Sequence, residues 1–338
     1  MTDRPVPTAR ELVAWVREDF GLHLVACEPA GGGTDAAVST WRARTADGAQ
    51  LAVRVTSGRA TGVWLATLLA TRGVRGVPAP WRTRDGAAWS VRGGYRLSVA
   101  SWVSDRVATP GRMTADQWRA LGRVLAQVHA QPVTDELGAL PREDHDPGVW
   151  VRRARDLPWT VVRQPGADGI TSAMAGALVG ALEPLAAVAD AAEQGAAALA
   201  GRFADSPAAT VLCHGDPHPG NVLLGADEVW LVDWDDALLA PRERDLILVV
   251  GGVLTSPVPS AQERAWFAEG YGPLDLDPDL LRYHAWARAL EDVVGLADLV
   301  LDQGGDRGRR AAAARALQGV LAPGGIGRLA GDLAWLAA

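Results

Sequence analysis

Lysine is missing from this chain: all 33 of its basic residues are arginine. Only two cysteines occur, Cys27 and Cys213, far apart and outside any CxxC spacing, so neither a disulfide framework nor a zinc site is indicated. A reducing compartment, the cytoplasm, fits that usage. No long uninterrupted apolar run is present. The opening MTDRPVPTARELVAW has no basic region followed by an apolar stretch, and the alanine-rich segment 171–201 is interrupted by Glu183, Asp190 and Glu193. Neither a secretion signal nor a membrane span is expected. Positive charge is not in excess either. With 33 basic against 40 acidic residues the formal charge is −7, which offers no general attraction to nucleic acid or anionic lipid. A cationic small molecule suits this balance, as does plain solubility.

What is present is a chain of 338 residues with 48% hydrophobic content, enough for about two domains. Its first hundred residues read as short strands at roughly 22–28, 37–44, 50–56, 80–84, 87–92 and 95–100, broken by turns such as Asp47-Gly48, Asp85-Gly86 and Gly93-Gly94. One helix, about 60–72, interrupts them. From Thr114 the period changes: Trp118, Leu121, Leu125 and Val128 recur at helical spacing up to His129. Residues 131–149, rich in Pro, Gly and Asp, read as a loop, and 171–201, 260–271, 278–301 and 308–320 as helices. No repeat of fixed period occurs. The expected class is α+β and bilobal: a β-rich lobe over 1–103, a hinge near 100–105, and a mainly helical lobe over 104–338, with a ligand cleft between them.

A compact β-like patch, Thr210 to Asp233, sits within the helical part. In it His214-Gly215-Asp216-Pro217-His218-Pro219-Gly220-Asn221 places an aspartate and an asparagine five residues apart, in a segment too rich in Pro and Gly to be helical. Asp233 follows twelve residues after Asn221, at the end of VWLV. Phosphoryl transfer asks a protein for a positioned hydroxyl and for metal ions that neutralise the phosphates. Asp216 can orient a hydroxyl and accept its proton, while Asn221 and Asp233 are hard oxygen ligands for magnesium.

HGDPHPGN followed by VDWDD resembles the catalytic and metal-binding motifs of the aminoglycoside phosphotransferase and choline kinase family, distant relatives of protein kinases. LAPRERDL at 239–246, Gly251-Gly252 and WFAEGYG at 266–272 are similar to its spectinomycin phosphotransferase branch, as are GGTDAA at 32–37 and QWRALGRVLAQVH at 117–129. The resemblance implies a protein-kinase-like fold and a magnesium-dependent kinase using ATP or GTP on a small-molecule hydroxyl, acting as a monomer or homodimer. It makes Asp216 the catalytic base, Asn221 and Asp233 the magnesium ligands, and His214 the residue that orders the loop; His218 reads as structural. Gly31-Gly32-Gly33-Thr34-Asp35, by itself a plain hairpin turn, becomes a nucleotide-covering loop, with Gly32, Gly33 and Thr34 near the phosphates. Leu97 to Val103, including Ala100 and Trp102, become the hinge facing the purine, Trp102 by packing rather than stacking.

Two departures stand out. In this family a lysine on the third strand contacts the phosphates, often held by a glutamate of the following helix. Here LAVRV offers Arg54, whose planar fork differs from an ammonium in shape. The segment RATGVWLATLLATR that follows contains no acidic residue, so Arg54 is held by something else or left free. Asp235, Asp236, Glu243, Asp245, Glu291 and Asp292 either gather near the cleft to meet a cationic aminocyclitol or form solvated helix faces. Asp245 either touches substrate or braces the catalytic loop. An antibiotic kinase, a metabolic hydroxyl kinase and a nucleotide-binding pseudokinase share these motifs; retention of the base argues against the last.

Overall fold

The computed structural model describes residues 7–30, 38–109, 111–164, 168–204, 209–251 and 258–329. Helix α1 (Ala9–Phe20) opens the chain, started by a reciprocal Thr8/Glu11 capping box. Strands β1 (Leu24–Pro29), β2 (Val38–Thr45) and β3 (Gln50–Thr56) follow, then α2 (Thr61–Thr71), β4 (Ser90–Arg92) and β5 (Tyr95–Ser101). They form one antiparallel sheet in the order β1-β2-β3-β5-β4. Because side chains alternate across a strand, Leu51, Val53 and Val55 of β3 join Leu97 and Val99 of β5 on one face. Leu12, Val16 and Phe20 of α1 cover that face. The opposite face carries Arg54, in register with Thr40 and Ser98. This alternation is what directs the arginine away from the lobe's core.

The helical part contains α3 (Ala115–His129), α4 (Gly148–Val162), α5 (Gly169–Gly180) and α6 (Leu182–Arg202). Four short strands come next, β6 (Val211–Cys213), β7 (Val222–Leu224), β8 (Val229–Leu231) and β9 (Leu238–Ala240), and then α7 (Glu243–Val250), α8 (Ala261–Tyr271), α9 (Pro278–Leu301), α10 (Arg307–Leu321) and α11 (Ile326–Leu329). β6 pairs with β9 and β7 with β8, each antiparallel. One buried cluster joins α2 and α3 to these strand pairs through Leu65, Leu69, Leu125, Leu212, Leu231 and Leu239. A second, larger cluster lies among α4, α5, α6, α9 and α10. A sheet above and a helical body below give the two-lobed α+β class expected. The linker after β5 is strapped to the lower body: Ala108 N donates to Val222 O at 2.8 Å, and Ser104 Oγ to Leu224 O at 2.6 Å.

Two expectations are corrected. Residues 80–84 do not form a strand; Pro78 and Pro80 cannot donate to a ladder, and only a bridge between Pro80 and Ala100 forms. Residues 171–201 are two helices, not one, bent by 68° about Ala181. Pro184 lacks the N–H that would continue the α5 ladder. Among the described residues no single helix is long and apolar enough to cross a membrane; α5 and α6 pass that test only as this bent pair.

Candidate active site

The loop between β6 and β7 holds Asp216 and Asn221. The Asn221 side-chain amide donates to the Asp216 carbonyl oxygen at 2.9 Å, closing the loop on itself. That leaves the Asn221 side-chain oxygen for another partner. Val232 N donates to Asn221 O at 3.0 Å, which brings the segment carrying Asp233 alongside. Asp216 itself is 18% exposed; its Oδ1 accepts from Arg288 Nη1 of α9 at 2.8 Å, and His218 Nε2 lies 3.6 Å from its Oδ2. Asp233 has φ +66°, a left-handed conformation that aspartate visits more readily than most residues, and its carboxylate is about half exposed.

His214 is completely buried against Trp234. Its Nε2–H donates to Val232 O at 2.9 Å, and its Nδ1 accepts from Asp216 N at 3.3 Å. Burial lowers its pKa, which keeps the imidazole in the neutral form this pattern requires. One ring thus ties the Asp216 loop to the Asp233 strand.

Beneath it Asp245 of α7, also fully buried, accepts from His214 N and Gly215 N at 2.8 Å each and from His129 Nε2 at 3.0 Å. Burial alone would raise its carboxyl; the hydrogen bonds it accepts from His129 and from the His214 backbone N–H outweigh that, and it sits below its ordinary value. His129 Nδ1 meets the Tyr271 hydroxyl at 2.7 Å, and burial pushes that phenol up to about 12, so it stays a donor. Of the two roles weighed for it, Asp245 takes the bracing one and does not line the cleft.

Arg54 reaches down from β3 with Nη2 2.8 Å from Asp233 Oδ1 and 2.7 Å from Asp235 Oδ2. Burial opposes its charge, but Asp233 and Asp235 more than offset this and raise its pKa. No residue of α2 takes part. The unpaired outcome contemplated for Arg54 is not the one observed. Ala100 lies opposite Ala52 on β5, on the same face of the sheet as Arg54. Trp102 donates its backbone N–H to Gln50 O and its indole N–H to Asp105, under the Arg42 guanidinium, so it is held by packing at the sheet's edge. Gly32, Gly33 and Thr34 lie outside the described residues.

Of the remaining acidic residues, Asp236 is exposed, and its carboxyl is raised by burial of its immediate surroundings and by the charges of Asp216 and Asp233. Asp292 is raised chiefly by burial; it accepts from Arg288 Nε at 2.8 Å. Glu291 pairs with Arg244 at 3.2 Å. Glu243 is buried and accepts from Asp277 N at 3.0 Å, joining α7 to the start of α9, which corrects the solvated-face alternative weighed for it.

The model of the phosphotransferase enzyme family matches residues 28–289, more than half of the chain. The chain belongs to this family. The phosphotransferase also aligns with solved structures over nearly its whole length. A spectinomycin phosphotransferase in complex with ADP and spectinomycin is 22% identical, with 97% of this chain and 98% of that one covered and a TM-score of 0.82. An amicoumacin kinase in complex with AMP-PNP, Ca2+ and amicoumacin is 14% identical, covering 93% of each chain at a TM-score of 0.60. A macrolide 2′-phosphotransferase from Brachybacterium faecium is 19% identical, covering 91% and 97% at 0.53. No curated protein matches the chain.

Three residues of the phosphotransferase site escaped sequence reasoning: Arg288, His129 and Tyr271. The signal for Arg288 was its spacing four residues before Asp292 on one helix face, which marks a pair but not its third partner. His129 and Tyr271 read as the ends of two separate helices, and only the packing of α3 on α8 unites them.

Gly215 is the position on which this loop turns. Its φ is +88°, and a Cβ there would collide with the Asp236 carbonyl oxygen. Backbone cannot yield as a flexible side chain would. Gly215→Ala is expected to cost about 2 kcal/mol or more and to lower kcat along with Tm, because Asp216 must shift with it. Thermal unfolding checks this; an unchanged Tm would contradict the tight turn.

Proposed function

We propose that this phosphotransferase transfers the γ-phosphoryl group of ATP, with magnesium, to a hydroxyl of a cationic aminocyclitol of the spectinomycin type in the cytoplasm. The observation that carries the reading is the joint placement of Asp216, Asn221 and Asp233 on one strand–loop–hairpin unit, with Arg54 reaching Asp233 from the sheet above. Full-length likeness to a structure holding ADP and spectinomycin supports the adenine donor and the acceptor class.

The residues fit a magnesium nucleotide. The Asn221 nitrogen is committed to the Asp216 carbonyl, leaving the oxygen as donor, and Asp233 adds a carboxylate, so the donor set is two hard oxygens. When bound, the magnesium nucleotide supplies the phosphoryl group and positive charge that offsets its oxygens. The chain's own part is positioning. Arg288 occupies Asp216 Oδ1, so Oδ2 is the atom that receives the acceptor's hydroxyl proton. His214 and Asp245 hold that carboxylate's backbone in place. Arg54 brings a permanent cation to the phosphate side of the cleft. Asp236 and Asp292, with the Asp216 carboxylate beside them, place negative charge on the acceptor side, which favours an ammonium group.

A coupled ADP-release assay across aminocyclitols, aminoglycosides, choline-like amines and sugars tests the substrate. Spectinomycin-type compounds should be turned over with the highest kcat/KM; preference for an uncharged sugar would refute the acceptor assignment. Arg54 provides a further check. Arg54→Ala should raise nucleotide KM by about tenfold and slow transfer, whereas Arg54→Lys should stay within about threefold of wild type, because charge at this point counts for more than fork shape. If both variants keep kcat and KM within about twofold, Arg54 has no part in phosphate binding.

A further inference from the structure

The strand cation needs a partner that stays with it during transfer, and the fold supplies one from an unexpected place. Arg54 Nη2 is shared between Asp233 and Asp235, at 2.8 and 2.7 Å. In the function proposed above, Asp233 is given over to metal. That leaves Asp235, 32% exposed and two residues further on.

Helix α2, which follows the strand bearing Arg54, has nothing to offer in its stead: it contains no acidic residue, and its first turn has no side-chain cap. The helix meets Asp235 at Gly62, buried in that first turn. A Cβ on Gly62 would collide with the Asp235 carboxylate, and its next neighbours would be Asp235 Cγ and backbone nitrogen. The space where α2 would place a side chain toward Arg54 is therefore filled by Asp235. The amino-terminal end of a helix, with its partial positive charge, is also a favourable place for that carboxylate. Three features thus coincide: a cation on the cleft face of the sheet, a carboxylate delivered by the segment after β8, and a helix reduced to glycine where the carboxylate sits.

We infer that Asp235 is the positioning residue of Arg54: it fixes the guanidinium against the nucleotide phosphates from the metal-binding segment, with α2 making room for it. Asp235 acts through Arg54 and neither takes the acceptor proton nor holds the metal. The inference rests on the phosphotransferase site described above.

The test is a double-mutant cycle read in two ways on the full chain. Asp235→Asn should lower kcat about tenfold in the wild-type background and less than about twofold in an Arg54→Met background, since the residue it positions is then gone. In protein labelled with 15N-arginine and saturated with Mg·ADP, the Arg54 Nε–H resonance, assigned by its loss in Arg54→Lys, should shift or broaden in Asp235→Asn. Relocating the charge gives a rescue. Gly62→Asp alone should impair the enzyme, but combined with Asp235→Ala it should recover at least about threefold over Asp235→Ala, because the helix then supplies the carboxylate into vacated space. An equal loss in both backgrounds, a raised magnesium requirement in Asp235→Asn, or an unmoved Arg54 resonance would overturn the inference. The underlying site reading fails separately, if Arg54→Met itself leaves both transfer and nucleotide binding unchanged.

Discussion

Replacing Asp216 by alanine is expected to lower kcat by about a thousandfold while changing nucleotide affinity by less than about twofold. On the transition-state scale that is about 4 kcal/mol, at about 1.4 kcal/mol per decade. The separation of the two effects follows from where Asp216 sits. Its Oδ1 is held by Arg288; in the function proposed its Oδ2 is offered to the acceptor, and the phosphates fall to Arg54, Asp233 and Asn221, which lie apart from that oxygen's task. The fold should survive the change, since Arg288 keeps Asp292 as a partner at 2.8 Å and the loop is braced by Asp245 and His214 rather than by the Asp216 side chain. Steady-state kinetics with calorimetric titration of Mg·ADP separates the terms. A variant with near wild-type kcat would remove the proton acceptor from the account.

The second large effect belongs to Asp233. Asp233→Asn should weaken magnesium-dependent nucleotide binding by about a hundredfold, near 2.7 kcal/mol, and should leave the weaker binding measured in EDTA almost unaltered. Asparagine is the informative replacement because it tolerates the left-handed φ of +66° and changes only the charge. Asn221→Ala should cost less, about tenfold, since the residue lost is a neutral ligand. Calorimetry with and without magnesium reads all three values. If Asp233→Asn binds Mg·ADP as the wild type does, the carboxylate is not a metal ligand and Arg54 is its sole partner.

Much of the fold was legible because its signals are local. The change from alternating to helical spacing at Thr114 marks α3, and Thr114 is indeed its N-cap, in a capping box with Gln117. The HGDPHPGN and VDWDD motifs lie on the loop and strand end that bring Asp216, Asn221 and Asp233 into one unit. Other local signals were present but unread: Thr8 and Glu11 frame α1, whose Leu12, Val16 and Phe20 recur every four residues toward the sheet. Pro184 ends the ladder that would have made α5 and α6 a single helix. What could not be read from spacing are the partners of the charges. Arg54 finds Asp233 and Asp235 across 179 and 181 residues, and Arg288 finds Asp216 across 72. Such pairings depend on how the sheet sits over the helical body. Asp245 shows the same limit in reverse: the motif left it between touching substrate and bracing the loop, and only the packing of α7 turns it wholly inward onto backbone N–H groups.

The most direct measurement is product analysis: purified protein incubated with Mg·ATP and spectinomycin, followed by 31P NMR and mass spectrometry, with Asp216→Asn run in parallel. The account predicts a new phosphate monoester on the aminocyclitol, formed in step with ADP by the wild type and reduced about a thousandfold in the variant. Release of inorganic phosphate without a phosphorylated product, or equal product from both proteins, would contradict it.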